Sequence, residues 1–307
     1  MFLVCGEALY DVFPAAESEK GVTLDARIGG SAFNVAMGLA RLGRPVALVT
    51  GVSTDPLGEK LARAMAAEGV ETRWLARKDA PVTLALVGLN PDGSARYRFY
   101  GEGAADRLVT PADLPPLETA RGVLFGCFSL LTRPTGDSFL GYARAARGGP
   151  LVCLDPNIRA SVEPDMGRWR ERVEAFAACA DVVKLSDEDM DALYPGEAPA
   201  AAARRWLAGG ATLVALTRGG EGATAWVGDG EVSVPAPSTQ VIDTVGAGDT
   251  FLAGLLTALD EAGLTARAAL AALDAERVAP ALAFAARAAA VTCARRGADL
   301  PRRDEVS

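Results

Sequence analysis

The run Asp243-Thr244-Val245-Gly246-Ala247-Gly248-Asp249-Thr250-Phe251 decides how this chain is read. Two acids bracket a glycine turn, and Ala253, Leu256 and Leu259 follow at helical spacing, so a helix starts directly behind the turn. Gly246 and Gly248 let the backbone approach a ligand with no Cβ in the way, and the free N–H groups of a helix start attract anions. Gly246, Ala247 and Gly248 therefore read as an anion hole. Asp249 stands in the first helical turn, where the dipole favours its carboxylate and where it can take a proton from a bound hydroxyl. The pairing suits phosphoryl transfer onto an alcohol, in which a protein contributes chiefly positioning and charge stabilisation. Taken alone, the same letters also describe an ordinary helix start capped by Asp249.

Composition narrows the choices. The chain has 307 residues, 50% of them hydrophobic, enough for one large α/β domain or two small ones. A formal charge of -8 and the lack of any Lys/Arg cluster argue against a nucleic-acid or membrane-surface partner. Arg295-Arg296 and Arg302-Arg303 read as a solvated edge. There is no histidine, which removes Ser-His-Asp catalysis, His-paired cysteine catalysis and His-ligated zinc and leaves carboxylates as general bases. Cys5, Cys127, Cys153, Cys179 and Cys293 are scattered singly and read as reduced and mostly buried. No cleavable leader and no bilayer-length apolar run is seen, so a cytoplasmic location is expected.

Outward from the central run, Met1 to Cys5 is a short buried strand ending at Gly6, with Glu7 and Asp11 at the carboxyl end, where α/β sheets bind ligands. By position alone Asp11 is equally a solvated loop acid. Gly29-Gly30-Ser31-Ala32-Phe33-Asn34 leads into a helix running to Leu42 and offers Asn34 as donor and acceptor to a polyol. Pro45 to Thr50 is a second strand. The following Gly51 to Lys60 is no P-loop, because Gly58 precedes Glu59, and Gly219-Gly220-Glu221-Gly222 lacks the dinucleotide-binding spacing. Val82 to Leu89, the turn Asn90-Pro91-Asp92-Gly93 and Arg96 to Tyr100 read as a hairpin. From Val123 onward strands alternate with helices, the pattern of a parallel sheet covered on both faces. The alanine-rich stretch Ala279 to Arg295 reads as a helix on that sheet.

Three of these segments, Gly6 to Asp11, Gly29 to Asn34 and Asp243 to Asp249, together resemble the signatures of the ribokinase-like (PfkB) carbohydrate kinases, in the family's order. The resemblance covers essentially the whole chain. It implies an α/β, ribokinase-like three-layer fold with a central mainly parallel sheet and a small β-sheet lid. One domain would span 1–307, with lid segments near 11–28 and 82–101, and the lid of this family frequently mediates dimerisation. Asp249 would be the catalytic base, the N–H groups of Gly246, Ala247 and Gly248 would hold the developing charge, and ATP with Mg2+ would be the donor. Asp11, Gly30 and Asn34 would orient the sugar, and Tyr100 would stack on it or simply pack. Asp155-Pro156-Asn157-Ile158-Arg159 matches a segment whose arginine, here Arg159, approaches substrate or phosphate.

For the nucleotide, the family commonly has Asn-x-x-Glu where this chain has Ser186 and Asp189, arranging magnesium and phosphates through water. Thr217, Gly219 and Gly222 match the nucleotide-phosphate loop. Asp243 stands where family members often bind K+. Many ketodeoxygluconate-kinase-like members place an arginine directly after the aromatic pair at the hairpin's end; this chain has Gly101. The resemblance is strongest to bacterial fructokinases, with ketodeoxygluconate kinase and nucleoside kinase as rivals. A non-catalytic sugar- or nucleotide-binding regulator is the alternative from another class.

Overall fold

The computed structural model describes residues 1–89 and 95–306, so the hairpin turn read at Asn90 to Gly93 lies outside the described residues. In chain order, β1 (Phe2–Cys5), β2 (Leu9–Ser18) and β3 (Gly21–Gly29) precede α1 (Ser31–Arg41), β4 (Val46–Ser53) and α2 (Pro56–Ala67). Then come β5 (Leu75–Lys78), β6 (Leu84–Leu89), β7 (Ala95–Tyr100), β8 (Gly122–Gly126), α3 (Thr135–Ala146), β9 (Leu151–Asp155) and α4 (Met166–Ala177). The chain continues through β10 (Val182–Ser186), α5 (Asp187–Leu193), α6 (Pro199–Ala208), β11 (Leu213–Thr217), β12 (Ala223–Val227) and β13 (Gly230–Val234). It ends with α7 (Ala247–Glu261), α8 (Arg267–Ala271) and α9 (Ala275–Cys293).

Short apolar runs such as Phe2-Leu3-Val4-Cys5 form strands because both of their faces can be buried. With the partly exposed edge strands β5 and β13 they make one nine-stranded sheet in the order β13-β12-β11-β10-β9-β8-β1-β4-β5. Pairings from β5 through β11 are parallel, and β12 and β13 add antiparallel strands at one edge. Alternation along each strand divides the core. Phe2 and Val4 pack with Leu39 of α1, Leu252 and Leu256 of α7 and Leu282 of α9. Leu3 and Cys5 pack on the other face with Phe139 of α3, Trp169 and Phe176 of α4 and Trp206 of α6. Each fully buried ring of this kind contributes roughly 2–3 kcal/mol of burial. The result is the helix–sheet–helix layering expected from the alternating pattern.

Four further strands form a separate small sheet in the order β3-β2-β6-β7. Its long hairpin pairs Leu9 with Gly29 at the base and Ser18 with Gly21 at the tip. Strand β2 therefore leaves the central sheet beside β1 and carries Asp11, while β3 returns the chain to Gly30 and the start of α1.

Terminal charges are less idle than their sequence suggests. Arg302 bonds Glu68, Arg303 bonds Glu261 and Arg295 bonds Glu305, so these basic side chains fasten the C-terminal segment to α2, to α7 and to itself.

Candidate active site

Two helix starts meet at the carboxyl end of the sheet. Helix α7 begins after Gly246, which adopts a left-handed conformation at φ 79° and also leaves no room for a Cβ against Ala298. Helix α1 begins after Gly30 at φ 109°, where a Cβ would lie 2.9 Å from the Glu7 carbonyl oxygen. Glu7 is fully buried and holds this second start: its Oε1 accepts from Ser31 N at 2.9 Å and its Oε2 from Ser129 Oγ at 2.8 Å.

Asp249 is 7% exposed and sits one turn into α7, but it caps nothing. Its Oδ1 accepts from Ser31 Oγ at 2.6 Å and its Oδ2 from Asn34 Nδ2 at 2.8 Å. Asn157 Nδ2 closes the ring, donating to Ser31 Oγ at 2.7 Å. The ordinary-cap alternative for Asp249 fails on this geometry, because its carboxylate faces side chains of α1 and the β9 loop. Ser31 and Asn34 were reachable from sequence in one respect: they are three residues apart, hence neighbours on one face of α1. Asn34 was singled out and Ser31 was not.

The three N–H groups read as an anion hole are not equivalent. Ala247 N donates to Thr244 O at 3.1 Å inside the turn. Among the described residues, the N–H groups of Gly246 and Gly248 find no acceptor, and they are the donors open to an anion.

Asp11 projects from β2 with its carboxylate against Gly29, and Arg159 lies near it. Burial pushes the Asp11 carboxyl up to about 6, with Arg159 pulling the other way. Arg159 itself is held by the carbonyl oxygens of Asn157 and Ile158, at 3.3 and 2.9 Å. Tyr100 is not brought to this cluster. Cross-strand register puts Asp11, Ala85 and Phe99 on one face of the lid and Tyr10, Leu84 and Tyr100 on the other, and Tyr100 is 54% exposed. The aromatic on Asp11's side is Tyr97, whose hydroxyl is held above the usual tyrosine range by burial and by the nearby Asp11 charge. Two-residue alternation was the available signal for which lid aromatic shares a face with Asp11.

Gly101 makes room for an arginine from elsewhere: a Cβ there would lie 2.6 Å from Arg107 Nη2. Arg107 also stacks over the Phe128 ring, 5.3 Å from its centroid.

Ser186 and Thr217 end neighbouring strands in register, and beyond Thr217 an exposed turn at Gly219 to Glu221 closes on the buried Gly222. Ser186 and Asp189 complete the start of α5, each side chain accepting from the other's backbone N–H at 3.0 and 3.1 Å. Asp189 Oδ1 further accepts from Ile158 N at 2.7 Å. A carboxylate so engaged keeps lone pairs for ordered water, which is how it fits magnesium, an ion that retains much of its hydration. Asp243 likewise has both oxygens engaged, by Val245 N at 3.1 Å and Gly297 N at 2.8 Å. Among the described residues no cluster of three or more His, Cys, Asp or Glu side chains could hold a metal ion, and no helix is long and apolar enough to cross a membrane. All five cysteines are free.

A sequence profile described as "pfkB family carbohydrate kinase" matches residues 1–305. The chain belongs to this family. A fructokinase of Rhizobium leguminosarum bv. trifolii is 41% identical over 278 residues, covering 89% of this chain and 84% of that protein. An aminoimidazole riboside kinase of Salmonella typhimurium is 32% identical over 272 residues, covering 87% and 83%. Among solved structures, fructokinase with bound ATP from Xylella fastidiosa superposes with a TM-score of 0.89 at 28% identity, covering 99% of this chain and 96% of that one. The kinase therefore has the ribokinase-like fold, and its class of reaction is ATP-dependent phosphorylation of a carbohydrate.

Proposed function

We propose that this kinase is a fructokinase, transferring the γ-phosphoryl group of ATP to a hydroxyl of fructose. The observation that carries the reading is the meeting of Asp249 with Ser31 and Asn34, which joins an anion-binding helix start to a polyol-binding one. The similarity to the Rhizobium fructokinase selects the sugar. Asp249 takes the proton from the attacking hydroxyl as its oxygen bonds to the γ-phosphorus and the bond to the β,γ-bridging oxygen breaks. Ser31 and Asn34 hold the carboxylate in line, while the N–H groups of Gly246 and Gly248 face the charge on the transferring group. Asp11 accepts from sugar hydroxyls and Asn34 stands beside them. Magnesium, when bound, neutralises phosphate charge, and Ser186 and Asp189 order its water. Thr217, Gly219 and Gly222 border the phosphates, and Asp243 is the residue for a bound potassium ion.

One observation favours a second reading. Arg107 fills the space over Gly101 and Arg159 lies near Asp11, so a cation is available to an acidic sugar such as ketodeoxygluconate. The deciding measurement is kcat/KM for fructose, ketodeoxygluconate and aminoimidazole riboside with one enzyme preparation. Fructose is expected to lead, and a clear preference for either rival overturns the fructokinase assignment. We also assign a homodimer formed through the lid. The free thiols suit a reducing compartment and a cytoplasmic location, which cell fractionation checks.

A further inference from the structure

A lysine in the middle of an apolar strand is an anomaly, and β10 has one in Val182-Val183-Lys184-Leu185. Lys184 is 3% exposed and its Nζ lies 2.8 Å from Asp155 Oδ2 on the neighbouring β9. An ammonium has three donors; among the described residues this one uses a single donor. Its partner is equally incomplete, since Asp155 Oδ1 is buried with no hydrogen-bond partner among the described residues.

The position of the ammonium is more telling than its burial. A Cβ on Gly248 would lie 3.2 Å from Lys184 Nζ, so the charge sits at the start of α7, beside an N–H that has no acceptor among the described residues. Helix starts favour anions and disfavour cations. A cation placed there opposes the dipole unless a further negative charge is shared between them. Buried ion pairs are also weak sources of stability compared with apolar packing, so stability alone does not account for this one. Burial by itself would pull the Lys184 ammonium below the usual lysine range, yet Asp155, Asp189 and Asp249 hold it above that range, and it stays charged.

We infer that Lys184 is a further catalytic residue of this kinase: anchored by Asp155, its ammonium donates to the γ-phosphoryl oxygens of ATP beside the N–H of Gly248. The inference rests on the phosphoryl-transfer reading of the α7 start. Asp155 is then a positioning residue, fixing the ammonium while two donors face the phosphate. Charge on the transferring group is met from two sides, by backbone dipoles and by one full positive charge.

Lys184→Met leaves Asp155 buried without its partner and can lose the fold for that reason alone, so the test pairs it with the Lys184→Met/Asp155→Asn double variant, which removes both charges. Thermal unfolding and circular dichroism establish which variants are folded. Calorimetric titration with ATP and with ADP, without sugar, is then compared with kcat. The folded variant is expected to lose about a hundredfold in kcat, as for removal of one oxyanion donor. Its ATP affinity should fall by about tenfold while ADP affinity stays near wild type, because only ATP carries the γ-phosphoryl group. A folded double variant that turns over within about threefold of wild type, or one whose ATP and ADP affinities fall by the same factor, overturns the inference; neither figure is expected of a charged donor to the transferring group. Asp249→Asn in the same assays separates this from the underlying reading: if that variant is also active, the phosphoryl-transfer assignment of the α7 start fails as a whole.

Discussion

The role proposed for Asp249 rests on its partners. Ser31 Oγ and Asn34 Nδ2 donate to its two oxygens, Asn157 Nδ2 stands 3.4 Å from Oδ1, and together they fix the orientation of the carboxylate. Asparagine keeps the shape but cannot accept a proton, so Asp249→Asn is expected to fold and bind sugar while losing about 10²- to 10⁴-fold in kcat. Near-normal turnover by the folded variant removes Asp249 from the mechanism. Asp11 gives a pH dependence. Its carboxyl is raised from 3.8 to about 6 by burial, partly opposed by Arg159, so it becomes protonated as pH falls through about 6 and stops acting as a pure acceptor. Fructose kcat/KM should drop over that range and Asp11→Asn should flatten the drop; an unchanged profile in the variant excludes Asp11 as its source. The sign for folding is opposite. A raised carboxyl pKa favours the protonated native state, so this group's stabilising contribution is greatest below 3.8 and is lost as pH rises through about 6. Loss of sugar use near pH 5.5 is therefore not Asp11-driven unfolding. At this scale the sequence showed Asp249, Asn34 and Asp11 because they sit in recognisable runs. It did not show Lys184 or Ser31, whose contacts lie across the fold: Asp155 and Gly248 for one, Asp249 for the other.

At the scale of elements, both helices of the candidate site begin at a glycine with positive φ, and both starts were legible because only glycine accepts those backbones without strain. Boundaries were less so. The last long helix starts at Ala275, four residues before the alanine-rich run at Ala279, because Asp274 caps it by accepting from Arg277 N at 2.9 Å. Side-chain use within α5 was also hidden, since a Ser-x-x-Asp spacing serves a cap and a hydrated ion equally well. The loop leading into α7 is fastened by Asp243, which ties Val245 to Gly297 beyond α9. Oxygen ligands of this kind suit a hard monovalent cation, and such an ion beside Asp243 would stiffen the turn that presents Gly246. Exchanging potassium for tetramethylammonium at matched ionic strength should lower kcat, and Asp243→Ala should remove the difference between the two salts. Equal rates in both salts for the unaltered enzyme would falsify the potassium assignment.

For the whole molecule, the alternating pattern made the layered parallel sheet legible, whereas it took the register to show that one lid face is buried at its base through Tyr10 and Val12 and exposed at its far end. Tyr10, Leu84 and Tyr100 form a row across the small sheet, Ile28 pairs with Tyr10, and two-residue alternation along β3 carries that face on to Leu24 and Val22. Val22, Leu24 and Tyr100 are 57%, 52% and 54% exposed, all on the side away from Asp11. Strand β3 is also an edge strand, and an exposed apolar edge is a surface that pairs with another chain unless it is protected. Covering this face with the lid of a second copy would bury those side chains and hold the hairpin carrying Asp11 against the sugar. Sedimentation velocity should accordingly find the unaltered kinase as a dimer, and Val22→Glu with Leu24→Glu should yield a folded monomer, because two like charges would face two more across the symmetric interface. The monomer should show a raised fructose KM with ATP affinity little changed, because β2 of the lid carries Asp11, the proposed sugar ligand. A kinase that sediments as a monomer before any substitution, or a doubly substituted one that remains dimeric, rules out the lid as the interface.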